Sequence, residues 1–348
     1  MYHIDFNKPE HIHFIGIGGI SMSGLAEILL ERGFTVSGSD AHESELTDKL
    51  TAHGAKVVYG QRAENITDDI DAVVYTAAVH PDNPEYAAAA AKNLPILSRA
   101  ELLGQLMKNY EKSIAVSGTH GKTTTTSMLT EILMDEKKNP TISVGGMLDS
   151  IGGNIRVGGP ELFVTEACEY TNSFLSFFPN MEIILNIEAD HLDFFKDLEY
   201  IRHSFHQFAE LLPEDGTLII NAEIKDYAEI YEGLSCNVVT YGTNGCFDYS
   251  AKNITYDENG HVAFDLFRRG EYADHIQLSV TGDHNVSNAL SAIAVADILG
   301  LSIDITKRGL LSFTGTDRRF EYKGEFNGVT VIDDYAHHPT EILATLKA

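Results

Sequence analysis

At 348 residues the chain is too long for one ordinary core and implies two or more domains. Hydrophobic residues at 43% and charged residues at 22% describe a soluble globular protein, and a net charge of −26 leaves no broad basic patch for nucleic acid or an anionic membrane. Cys168, Cys236 and Cys246 fit no disulfide framework and no C-x-x-C pair, and no stretch reaches the roughly 18 apolar residues of a membrane span. With no secretory leader at the N-terminus, the expected compartment is the cytoplasm.

In chain order, residues 12 to 108 alternate short β-rich runs ("IHFIGIGG", "TVSGSD", "AKVV", "DAVVYTAAV", "PILS") with helical ones, the pattern of a parallel sheet wrapped by helices. "GIGGIS" falls between the first strand and the first helix, where a dinucleotide fold keeps its glycine fingerprint, although Ser21 stands at the third glycine position. Asp40 ends the second strand, where such folds contact a ribose. Either Gly16, Gly18 and Gly19 seat a diphosphate or they form a tight strand-to-helix turn.

A second α/β unit opens at "KSIAVSGTHGKTTTTSM". The usual phosphate loop is G-x-x-x-x-G-K-[ST]; here Val116 occupies its first glycine position and the motif shortens to G-x-x-G-K-T, but the order strand, glycine turn, helix survives. Backbone N–H groups from Gly118 through Thr119, His120, Gly121 and Lys122 to Thr123, with Thr124 following, would meet a polyphosphate at the helix N-terminus. Lys122 would face the outer phosphates and the Thr123 hydroxyl would ligate Mg²⁺, which makes ATP the expected ligand.

Further along, "LFVTE" ends a strand in Glu166, with Glu169 three residues on, and "EIILNI" leads to Asp190, His191 and Asp193. Acidic strand ends beside a phosphate loop suit metal binding, enough for two Mg²⁺ ions, and a histidine ligand would allow tolerance of Mn²⁺. "GTLIIN", "CNVVTYG" and a β-rich stretch from 247 to 281 precede a helix whose entrance carries His284, Asn285 and Asn288; these asparagines either reach an adenine edge or cap the helix. Arg318 and Arg319 meet phosphate or make surface ion pairs. From about residue 323 one strand and one helix are expected, too little for an independent core.

"HIHFIGIGGISMSGLAEIL", "SGTHGKTTTT", "EACEYTNSFL", "NIEADHLDFF", "GDHNVSNALSA", "TDRRFE" and "DDYAHHPTEI", in this order over essentially the whole chain, resemble the Mur ligase superfamily and within it the alanine-adding branch. The resemblance implies a Rossmann-like UDP-sugar domain (1–108), a P-loop-type α/β ATPase domain (109–322) and the start of a third α/β domain (323–348). It implies ATP-dependent ligation of L-alanine to UDP-N-acetylmuramate through an acyl phosphate, in peptidoglycan biosynthesis, with a chain that lacks most of the third domain inactive alone.

Carried over by position, the resemblance implies that Lys122 stabilises the transferring phosphoryl group, that Thr123 and Glu166 hold one Mg²⁺ and that His191 holds a second. His284, Asn285, Asn288, Arg319 and Asp334 (or Asp333) would serve the nucleotide. Tyr335 and His337 would face the ATP and amine sites, and Gly16, Gly18, Gly19, Ser21 and Asp40 the UDP-sugar. Phe205 or His206 stands where several sister ligases carry a carbamylated lysine, and Cys168 in "EACEY" is read as structural. A murein-peptide recycling ligase of the same superfamily, a P-loop kinase of a small acid and a nicotinamide oxidoreductase are the alternatives.

Overall fold

The structure, a computed structural model, describes residues 2–135 and 138–347. The first five strands, β1 (His11–Ile15), β2 (Thr35–Asp40), β3 (Lys56–Tyr59), β4 (Ala72–Tyr75) and β5 (Ile96–Ser98), form a parallel sheet in the order β3-β2-β1-β4-β5. Connections depart in opposite directions from β1, which opens a crevice at its C-terminal end, the usual ligand position in open α/β sheets. Helices α1 (Ile20–Glu31), α2 (Glu45–Ala52) and α3 (Pro84–Ala91) lie between strands of this sheet, and α4 (Arg99–Met107) leads from β5 to the second sheet. Their starts are written locally. The Ser98 hydroxyl accepts the Glu101 N–H and Glu101 accepts the Ser98 N–H, while Asn83 caps α3 ahead of Pro84.

The second sheet has ten strands: β6 (Lys112–Ser117), β7 (Thr141–Leu148), β8 (Gly153–Arg156), β9 (Leu162–Ala167), β10 (Met181–Ile184), β11 (Thr217–Asn221), β12 (Asn237–Gly242), β13 (Tyr249–Tyr256), β14 (His261–Arg268) and β15 (Glu271–Thr281). Strand β6 lies between β9 and β10, parallel to both, so three strand ends converge beside the glycine loop that follows β6. The helices are α5 (Lys122–Asp135), α6 (Leu198–Ala209), α7 (Asp283–Ile298) and α8 (Ile303–Ser312). The β-rich stretch after 247 is the antiparallel trio β13-β14-β15. Strands β7 and β8 add to the strands expected from the sequence: the Gly145–Gly146 pair weakens the strand signal of "TISVGGML", and pairing of β7 with β9, and of β8 with β7, supplies what local preference lacks.

The C-terminal segment corrects the expectation of one strand. A hairpin, β16 (Glu321–Phe326) and β17 (Val329–Asp333), precedes α9 (Pro339–Lys347). Asn327 and Gly328 have φ of 51° and 77°, so an Asn-Gly turn breaks what reads as one continuous strand.

Helix α5, which carries the glycine loop, is clamped between the second sheet and α8. The contact depends on Gly309, where an added Cβ would stand 2.4 Å from the Cα and 2.7 Å from the N of Ile132. Alanine's helix preference is worth about 1 kcal/mol over glycine, but this contact is with backbone and no rotamer relieves it. Gly309→Ala is expected to lower stability by about 1–3 kcal/mol net, read as a lower denaturant midpoint; unchanged or raised stability would show that α5 and α8 are not packed this closely.

Candidate active site

Gly118 has φ of 140° and a Cβ there would lie 2.9 Å from the Leu185 Cβ; Gly121 has φ of 85° and its Cβ would lie 2.7 Å from the Asn288 Oδ1. Both positions therefore require glycine, which lets the loop turn sharply against β10 and α7. Asn186 pins the turn, accepting the His120 N–H at 2.8 Å and donating to the His120 carbonyl at 3.0 Å. The Thr119 hydroxyl accepts the Glu188 N–H at 2.9 Å.

Lys122 folds back on its own loop. Its ammonium donates to the Gly118 and Thr119 carbonyls and pairs with Glu169 Oε2 at 2.9 Å. Burial works against the charge, but the Glu169 carboxylate outweighs it and holds the lysine pKa above its ordinary value. Glu169, which the sequence places three residues beyond Glu166, is the counter-ion of the loop lysine.

Glu166, near the end of β9, accepts the Gly145 N–H from β7, and the Thr123 hydroxyl is bonded to the same carboxylate. Burial pushes its pKa up despite these donors and the nearby Lys122 and Arg319 charges. A carboxylate and a hydroxyl together, with negative charge incompletely compensated, are the donor set a hard divalent cation takes. His191 stands apart from this pair. With φ of 51°, it lies 3.9 Å from Asp190 Oδ2 and against the Tyr170 ring, centroids 4.6 Å apart.

A cleft of about 1110 Å³ opens beside the loop, lined among others by His120, Gly121, Thr124, His284, Asn285, Asn288, Arg319 and Asp334. These expected nucleotide residues come from four separate stretches of sequence. Asn288 donates to Asn285 Oδ1 at 3.0 Å, and Asn285 donates to the Thr281 carbonyl at 2.8 Å, so the two amides are held in fixed orientations. Burial lowers the His284 pKa against the opposing pull of Asp334 and Asp283. Asp334 accepts the Phe320 and Ala336 N–H groups, which ties the turn after β17 to the arginine segment. Tyr335 and His337 are exposed and do not line the cleft; Tyr335 instead carries the Arg318 and Arg319 guanidinium groups against its ring.

At the first sheet a smaller cleft of about 650 Å³ is lined by Gly16, Gly18, Gly19 and Asp40. Gly16 has φ of 86° and a Cβ there would meet the Thr76 methyl at 2.8 Å. Asp40 turns inward and accepts the Gly18 N–H at 2.8 Å, so it closes the glycine turn as well as facing the cleft. Ser21 is exposed on the first turn of α1 and does not line the cleft.

The chain matches three family models in succession: "Mur ligase family, catalytic domain" over residues 11–111, "Mur ligase middle domain" over 116–296, and "Mur ligase, glutamate ligase domain" over 318–348. It is 62% identical over 348 residues to the UDP-N-acetylmuramate–L-alanine ligase of Agathobacter rectalis, covering 100% of this chain and 76% of that one. This chain belongs to the Mur ligase family. The UDP-N-acetylmuramate–L-alanine ligase of Clostridium kluyveri is 54% identical over 344 residues, 99% of this Mur ligase and 75% of that one. Among solved structures, the UDP-N-acetylmuramate-alanine ligase of Thermotoga maritima superposes with a TM-score of 0.80 at 33% identity, covering 97% of this chain and 76% of that one. A murein peptide ligase from Psychrobacter arcticus gives a TM-score of 0.80 at 28% identity, covering 97% and 75%.

Of the two residues in this Mur ligase read against the sister ligases' lysine, Phe205 belongs to the core and His206 is half-buried. Phe205 on α6 is fully buried and packs edge-on against Phe174 at 5.4 Å, while His206 bonds the Ile230 carbonyl at 3.0 Å. The Cys168 thiol, between the two glutamates, has its pKa pushed up by burial and by Glu169, in keeping with an inert packing role.

The Lys122–Glu169 pair is nearly buried, with side-chain exposures of 16% and 3%. Removing one partner of such a pair leaves the other uncompensated, so Glu169→Gln is expected to cost about 3 kcal/mol of stability. Adding Lys122→Met to that variant should recover most of the loss. Denaturant unfolding of the two single variants and the double measures the coupling, and additive effects would mean that the pair is not formed.

Proposed function

We propose that this Mur ligase joins L-alanine to UDP-N-acetylmuramate with hydrolysis of ATP, an acid–amino-acid ligation of peptidoglycan biosynthesis in the cytoplasm. The observation that carries the reading is the 62% identity, spread over the whole chain, to a ligase named for that reaction. Among the described residues no helix is long and apolar enough to cross a membrane. The same reading assigns 1–108 to the UDP-sugar, 109–322 to ATP and 323–348 to the start of the third domain.

A free carboxylate is a poor acyl donor. Phosphorylation of the lactyl carboxylate would convert its oxygen into a leaving group, which the alanine amine displaces to give the amide and phosphate. Lys122 brings a charge already desolvated and held by its loop to the place where phosphoryl charge shifts, so little reorganisation is needed at the moment of transfer. The N–H groups of the loop and of the first turn of α5 orient the polyphosphate, and Asn285 and Asn288 present a fixed amide edge for the base. Arg319 supplies a second cation at the rim of the cleft.

Thr123 and Glu166 are the residues that would hold Mg²⁺, and the bound ion would neutralise phosphate charge. His191, in the connection between β10 and α6, is assigned to a second ion, with Mn²⁺ accepted there because imidazole suits it better than Mg²⁺. Gly16, Gly18, Gly19 and Asp40 are assigned to the seat for the UDP moiety, and Tyr335 and His337 to the amine side.

Incubation with ATP, Mg²⁺, UDP-N-acetylmuramate and either L-alanine or the murein tripeptide tests the reading directly; product with the tripeptide alone would move the chain to the recycling branch. Lys122→Ala should abolish phosphoryl transfer while leaving the calorimetric affinity for UDP-N-acetylmuramate within about twofold, because the lysine acts on transition-state charge in a separate cleft. Equal loss of both would overturn the separation of roles. Glu166→Gln and His191→Ala should each raise the Mg²⁺ concentration for half-maximal activity by about tenfold, and unchanged metal titrations would reduce both to structural residues.

A further inference from the structure

His120 does more than line the ATP cleft. It belongs to a cluster with Glu188 and His338, drawn from the glycine loop, the turn after β10 and the turn before α9, whose nitrogen and oxygen atoms all lie within 4.8 Å of one another. His120 Nε2 is 3.5 Å, and His338 Nδ1 3.7 Å, from Glu188 Oε2. Ligands about 2.1 Å from a tetrahedral ion are about 3.4 Å apart, so two edges of a coordination tetrahedron are already close to their required length.

Each ring has its outer nitrogen on an acceptor, which places the proton there and leaves the inner nitrogen unprotonated. His120 Nδ1 is 3.1 Å from Glu341 Oε1, an acceptor, which puts the ring proton there. Its Nε2 is buried and has no hydrogen-bond partner among the described residues. His338 Nε2 faces the Ala189 carbonyl oxygen at 3.3 Å, an acceptor that places the ring proton on Nε2 and leaves Nδ1 unprotonated, where it accepts a long hydrogen bond from the Thr340 N–H at 3.4 Å that a bound ion would displace. Thr340 Oγ1 donates to Glu188 Oε2 at 2.6 Å and orients the carboxylate. Imidazoles held by a carboxylate and a carbonyl, beside a hydrogen-bonded carboxylate, are what surrounds protein metal ions.

We propose that His120, Glu188 and His338 form a binding site for a borderline divalent transition-metal ion such as Zn²⁺, separate from the oxygen donors Thr123 and Glu166. Two imidazoles and one carboxylate select Zn²⁺ or Co²⁺ over Mg²⁺, which prefers oxygen throughout. His120, Glu188 and Thr340 line the ATP cleft, so the fourth position opens to water or to a ligand there. An ion at this site would tie the glycine loop to the start of α9. The proposal does not depend on which amino acid the enzyme ligates.

The test is calorimetric titration of the chain with Zn²⁺ in excess Mg²⁺ and without nucleotide, beside Co²⁺ absorption spectra. The wild type should take up one tight equivalent, and Co²⁺ should give the intense visible bands of a four-coordinate site. Glu188→Gln and His338→Ala should each weaken Zn²⁺ binding more than tenfold, and Glu341→Gln, which supplies no ligand but is the partner of His120 Nδ1 and of the His337 and His338 N–H groups, about tenfold. Circular dichroism checks that each variant is folded, and the wild-type cobalt spectrum stands independently of all of them. Absence of a saturable equivalent in the wild type, or one unchanged by both Glu188→Gln and His338→Ala, would overturn the site.

Discussion

The active region is organised around one electrostatic constraint: the ammonium of Lys122 must be held out of bulk water and still remain charged. Two backbone carbonyls of its own loop and the carboxylate of Glu169 meet that need. For the carbonyls to face inward, Gly118 and Gly121 adopt backbone conformations that side chains disfavour, and the loop packs without clearance on Leu185 and Asn288. The short form of the loop follows. With β6 inserted between β9 and β10, the neighbouring strand ends deliver Glu166, Asn186 and Glu188 to the positions a longer loop would have to reach for itself.

A second consequence concerns charge. A chain with net charge −26 has no general positive field with which to hold an anion. It concentrates favourable potential at a few points instead: the N-termini of α1 and α5, Lys122, Arg319 and the carboxylate groups able to gather cations. The acidic groups around the cleft are not left idle. Glu341 is an example. Burial pushes its pKa up, but hydrogen bonds from His120 and from the His337 and His338 backbone overcome that and bring it down to about 2, so it stays ionised and joins the glycine loop to α9.

How much of this was legible in the sequence depended on the range of the interaction. The glycine turns, the capped helices and the apolar strands are local, and their residues carry the reason for them: Ser98 with Glu101, Asn83 with Pro84, and the six-residue run ahead of Gly118. Local reading failed where a partner strand made the decision. The β7 and β8 strands exist because β9 pairs with β7, and the Asn327-Gly328 turn divides a run whose composition suits a single strand.

The order of sheet, glycine loop and helix, the residue types able to grip phosphate, and the family are all readable from the amino-acid order, because contiguous motifs set them. Only the tertiary structure decided which charges face each other. Glu169 could have been a surface residue or a metal ligand, and it is the partner of Lys122; Asp40 could have pointed to solvent, and it closes the Gly18 turn. His120, Glu188 and His338 are separated by up to 218 residues, a span no spacing rule covers, and are gathered within 4.8 Å. Side-chain pairing across separate strands and loops depends on the directions in which the folded backbone aims them, and that information exists only after the sheets have formed.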